Sequence, residues 1–79
     1  MTNLEKYNKL FLAAFPITEA ELPEAKYRRT DRWDSVGHME LMSEMEEAFG
    51  ISLETLDVMD FSSYGKGKEI LAKYGVEIP

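Results

Sequence analysis

Cysteine is absent from this chain of 79 residues, and histidine occurs once. Without thiols there is neither a disulfide nor a thiolate metal site to supplement the core, so side-chain packing has to stabilise the fold alone. A lone imidazole with no spaced ligand pair gives no expectation of a metal centre. No segment approaches the roughly 20 apolar residues that span a bilayer, and the first residues carry no cationic stretch followed by an apolar run. A cytoplasmic protein, neither secreted nor inserted in a membrane, is the expectation. Basic residues are also few, nine against fifteen acidic ones, for a formal net charge of −6. That balance disfavours general nucleic-acid binding, which needs cations to neutralise phosphates. From Trp33 to Gly65 there are eight acidic residues and no Lys or Arg, so this stretch should steer the domain towards basic partners.

What is present is the balance of an ordinary globular protein, 44% hydrophobic and 30% charged residues, in a length that supports a single domain over residues 1–79. Leu4, Tyr7, Leu10, Phe11, Ala14 and Phe15 recur at helical spacing behind a Thr2-x-x-Glu5 capping signal. This first helix should end near Pro16. Residues 16–34 read as a long loop pinned to the core at Ile17, Leu22, Tyr27 and Trp33. A second helix is expected from Ser35 to Phe49, with Leu41, Met42, Met45, Ala48 and Phe49 facing the core and Gly50 stopping it in a left-handed conformation. Ile51 and Leu53 should anchor the chain again. A short helix around Glu54 to Met59 is expected next, and a last one, capped by Ser62 or Ser63, should carry Tyr64, Ile70, Leu71 and Tyr74 up to Gly75. Gly65 and Gly67 weaken that helix by about 1 kcal/mol each. Only Val76 to Ile78 alternates as a strand would. The expected fold is therefore all-α, a bundle of three main helices plus one short helix.

Ser35 lies where the long loop meets the acidic helix, at or beside the N-cap. Serine is a favoured cap because its oxygen accepts from an otherwise unpaired amide. The same free amides, with the positive end of the helix dipole, also favour a phosphate attached there. The surrounding run is Trp33-Asp34-Ser35-Val36-Gly37-His38-Met39-Glu40-Leu41, followed by Glu46-Glu47-Ala48-Phe49-Gly50-Ile51. It resembles the acyl carrier protein family, in which an Asp-Ser-Leu motif opens the second helix and its serine receives 4′-phosphopantetheine from coenzyme A. Val36 occupies the third position here and keeps a branched apolar side chain. The order of elements along most of the chain is similar too. The Trp-Asp-Ser-x-Gly-His form resembles stand-alone carriers of specialised pathways more than those of housekeeping fatty-acid synthesis.

The resemblance implies a monomeric, non-catalytic carrier in which Ser35, with Asp34 beside it, bears the phosphopantetheine arm. The arm's thiol would hold acyl or aminoacyl groups as thioesters. A phosphopantetheinyl transferase would install it, and acyl-loading and acyl-transfer enzymes with basic docking patches would meet Asp34, Val36, Met39, Glu40, Glu46 and Glu47. Angular spacing independently puts Val36, Met39, Glu40, Ser43 and Glu47 opposite the core face, with Glu44 and Glu46 on its flanks. Two other readings stand beside this one: a peptidyl or aryl carrier loaded by an adenylating enzyme, and an unmodified acidic helical interaction module.

The remaining polar and flexible residues have plainer expectations. A Ser35–His38–Asp34 triad fails because three residues of one helical turn seldom place a base between nucleophile and orienting acid. His38 is instead expected to pack near the motif. Gly37, costly in a helix, is read either as a site of close approach by the arm or a partner or as a glycine tolerated in the first turn. Met39, Met42, Met45 and Met59 read as adaptable core filling. Lys26, Arg28, Arg29 and Arg32 are expected to be solvated or paired with the acidic helices.

Overall fold

In the computed structural model, which describes residues 1–79, the chain forms α1 (Asn3–Ala14), a 3-10 helix (Glu19–Glu24), α2 (Ser35–Phe49), α3 (Thr55–Asp60) and α4 (Tyr64–Ala72). The all-α bundle has no strand and only one isolated antiparallel bridge, Lys26 with Ser63. No helix is long and apolar enough to cross a membrane. A radius of gyration of 11.3 Å is close to the value of about 12 Å for a folded chain of this length.

The helix ends follow the local signals. Thr2 Oγ1 accepts from the Glu5 amide at 3.1 Å while Glu5 Oε1 accepts from the Thr2 amide at 2.8 Å, a reciprocal capping box. Gly50 ends α2 at φ 63°, and the amides of Gly50 and Ile51 both donate to the Glu46 carbonyl, as expected for a left-handed stop without a Cβ. Ser63 rather than Ser62 caps α4, accepting from the Lys66 amide at 3.0 Å.

The 3-10 helix departs from the expected loop. Glu21 Oε1 accepts from the Thr18 amide at 2.8 Å, and Leu22 and Ala25 are buried. The Thr18-x-x-Glu21 spacing was a usable signal. It was masked by Pro23 and by a segment too short to show an apolar period.

The core is rich in aromatic residues. Six of the nine aromatic residues are buried: Tyr7, Phe11, Phe15, Trp33, Phe61 and Tyr64. Tyr7 and Phe11 lie one above the other on α1, and Phe15 follows at its C-cap. Phe11 sits centrally, with Tyr7, Tyr64 and Trp33 ring centroids at 5.0, 5.3 and 5.5 Å. Such tilted pairs add about 0.5–1.5 kcal/mol each beyond their burial. The polar ends are matched: Tyr7 Oη donates to the Tyr64 carbonyl at 2.5 Å, and Tyr64 Oη donates to Asn8. Burial, reinforced by Tyr64, raises the Tyr7 phenol far above its ordinary range. Gly67 is buried against this cluster, where a Cβ would strike Tyr7 Oη and the Phe61 ring. Its helix penalty is therefore the condition for close packing. Met42 and Met45 fill the core as expected, but Met39 and Met59 are exposed, at 55% and 72%. Met39 lies on the outward phase of α2, and Met59 on short α3.

Short α3 is tied down mainly by polar groups. Asp57 takes Lys73 Nζ on one carboxylate oxygen and Tyr74 Oη on the other, each at 2.5 Å, and Tyr74 Oη in turn accepts from the Glu54 amide at 2.9 Å. The Lys73 ammonium, then the Tyr74 hydroxyl, hold the Asp57 carboxyl below its ordinary value of 3.8. A carboxyl depressed on folding stabilises fully above its unfolded value, and that contribution disappears as the pH falls through the lower folded value. Asp57→Asn should therefore lower the neutral-pH melting temperature and flatten its decline below about pH 4. Parallel melting curves for the two proteins across that range would refute this.

Candidate functional site

The start of α2 is built by the turn that precedes it. Arg28 and Arg32 adopt left-handed backbone conformations, φ 69° and 70°, each costing about 1–2 kcal/mol for a residue with a Cβ. The turn is held by bonds from the Arg28 amide to the Trp33 carbonyl (2.8 Å), the Thr30 amide to the Lys26 carbonyl (2.9 Å) and the Trp33 amide to the Thr30 carbonyl (3.0 Å). Across the molecule, the Tyr27 amide donates to the Ser62 carbonyl and the Tyr64 amide to the Ala25 carbonyl. Loop and α4 are thereby joined, and α2 begins at a fixed point.

Asp34, not Ser35, is the cap. Its Oδ1 accepts from the Gly37 amide at 2.9 Å, and its carbonyl accepts from the His38 amide at 2.8 Å. Ser35 is the first helical residue, exposed, with its hydroxyl released from capping. The amides of Ser35 and Val36 have no acceptor within the protein, as the first turn of a helix dictates. Ser35 Oγ has one side-chain hydrogen-bonding neighbour, Tyr27, whose Oη lies 3.3 Å away. In the sequence Tyr27 read only as a loop anchor, because nothing local places residues eight apart beside one another.

His38 faces inward, 8% exposed. Trp33 Nε1 donates to His38 Nδ1 at 2.9 Å, and His38 Nε2 lies 2.7 Å from the Val58 carbonyl oxygen. Indole can only donate, so Nδ1 is the acceptor and Nε2 carries the proton to Val58. Both nitrogens are committed, which leaves His38 no lone pair for Ser35. Its role is to join the loop, α2 and α3, consistent with packing near the motif.

Gly37 is pressed by the chain itself. A Cβ there would collide with the Arg32 carbonyl oxygen. The close approach at this position is made by the preceding turn.

The outward face of α2 is largely as anticipated. Val36 and Met39 are 71% and 55% exposed, and Glu40, Ser43, Glu44 and Glu47 are exposed as well. Glu46 differs: it is half-buried, and its Oε2 accepts from the Leu53 amide at 2.7 Å, bracing the connection to α3. Leu56 on α3, 73% exposed, is an apolar residue the sequence reading missed. Its hexapeptide helix is too short for periodicity to reveal which way it faces. Lys26, Arg28, Arg29 and Arg32 are exposed and form no ion pair, so solvation describes them and pairing with the acidic helices does not. Comparison with protein-family models, with curated proteins and with solved structures gave no match.

Proposed function

We propose that the chain is a carrier domain that bears a 4′-phosphopantetheine arm on Ser35 and moves acyl or aminoacyl groups between partner enzymes. The observation that carries this reading is a serine hydroxyl placed on the first turn of a helix, exposed, and relieved of capping by its neighbour Asp34. Two unpartnered amides at that turn and the positive helix end suit a phosphate ester. When attached, the arm supplies a terminal thiol for thioester chemistry. The domain's own residues present it and recognise partners.

Recognition falls to the exposed side chains around the attachment point. Val36 and Met39 offer apolar area on α2, set among Glu40, Glu44 and Glu47 of the same helix, and Leu56 and Met59 are exposed on α3. Such a surface suits partners with basic, partly apolar patches, and rim charges give the fast, salt-sensitive encounters a shuttle needs. An acidic interaction module would use the same face without modification.

One measurement separates the two. The parent protein and Ser35→Ala are incubated with coenzyme A and a broad-specificity phosphopantetheinyl transferase, then weighed intact. The parent should gain one phosphopantetheine and the variant none. An unchanged parent mass favours the unmodified module, and equal gains move the attachment elsewhere.

A further inference from the structure

Tyr27 reaches Ser35 from the long loop, and its Oη makes no hydrogen bond besides the approach to Ser35 Oγ at 3.3 Å. That distance exceeds the roughly 2.7–2.8 Å of a firm O–H···O bond, so the hydroxyl is adjacent to Ser35 but not spent on it. The ring cannot easily swing away. It packs on His38, centroids 5.1 Å apart at 58°, and the Tyr27 amide is bonded to the Ser62 carbonyl at 2.9 Å. The Arg28 guanidinium stands over the same ring, 5.8 Å from its centroid.

In the free protein either hydroxyl of the pair can donate. An esterified Ser35 oxygen has no hydrogen, so Tyr27 becomes the donor of the pair, beside a newly charged phosphate. Hydrogen bonds to ionised acceptors are shorter and roughly twice as strong as neutral ones. We propose that Tyr27 is a positioning residue for the phosphate on Ser35: its hydroxyl donates to a phosphodiester oxygen and fixes the direction in which the arm leaves the domain. The inference rests on attachment at Ser35.

Tyr27→Phe keeps the ring on His38 and removes only the hydroxyl. Parent and variant are each converted with coenzyme A and transferase, with conversion verified by intact mass. Before conversion their melting temperatures should agree within about 2 °C, the hydroxyl being weakly engaged. Attachment should then raise the parent's by about 4 °C or more and the variant's by half of that or less. The phosphorus-31 resonance of the converted protein should also shift on substitution. The parent alone gives a further reading that does not depend on the variant folding. Attachment should move the Tyr27 ring Cζ resonance and leave that of Tyr7, whose hydroxyl is held by the Tyr64 carbonyl. Equal melting increments with an unmoved phosphorus resonance, or an unmoved Tyr27 resonance in the parent, overturns the role of Tyr27 and leaves Ser35 attachment intact. No mass gain in the parent removes both.

Discussion

Trp33→Ala should destabilise the protein by about 3–5 kcal/mol, the range for deleting a large buried aromatic. Stability for 79 residues is on the order of 4–12 kcal/mol in total, so much of the population would unfold under mild conditions. Trp33 is 1% exposed, stacked on Phe15 at 5.1 Å and edge-on to Phe11 at 5.5 Å. Its loss opens a cavity between α1 and the loop and also removes the donor to His38 Nδ1. Trp33→Phe separates the two effects, since it refills most of the slot but leaves a buried nitrogen unpaired, at about 1–3 kcal/mol. Urea unfolding followed by far-ultraviolet circular dichroism measures both. A loss below about 1 kcal/mol for the alanine variant would be incompatible with this placement of the indole.

Gly37→Ala is expected to destabilise by about 1–3 kcal/mol, although helix propensity alone favours alanine by about 1 kcal/mol. The sign is set by what the new methyl meets. At Gly37 it meets the Arg32 carbonyl oxygen and, at 3.2 Å, the carbonyl carbon. Backbone atoms locked in a hydrogen-bonded turn cannot rotate aside as a flexible side chain would. Gly65 is the control, because a Cβ there has nothing within 4 Å. Gly65→Ala should be neutral or stabilise by up to about 1 kcal/mol. Displacing the turn should also disturb Ser35, so modification of the Gly37 variant should slow while that of the Gly65 variant keeps the parent rate. Equal stabilities for the two variants would show that the turn does not press on α2.

The glycines and methionines mark where linear reading stops. Gly65 and Gly67 carry the same helix penalty in sequence, yet one faces open space and the other lies against Tyr7 and Phe61. Met42 and Met45 follow the core phase of α2. Met39 belongs to the outward phase, and Met59 sits on a helix too short to set a phase. Glu46 looks like one more surface carboxylate until the chain turns back and puts the Leu53 amide against it.

By itself, the sequence determined the four α-helices, the left-handed stop at Gly50, the apolar face of α1 and the position of Ser35 at the opening of the acidic helix. These depend on capping and periodicity, interactions that span about four residues and so survive in a linear string. Only the tertiary structure decided that Asp34 takes the cap and frees Ser35, that His38 bridges Trp33 to Val58, that the Arg32 carbonyl crowds Gly37, and that Tyr27 stands beside the serine. The last three depend on how the turn, α2 and α3 come together in space, and the cap itself on which of two adjacent side chains the turn aims at the helix amides. No pattern along the chain encodes those distances.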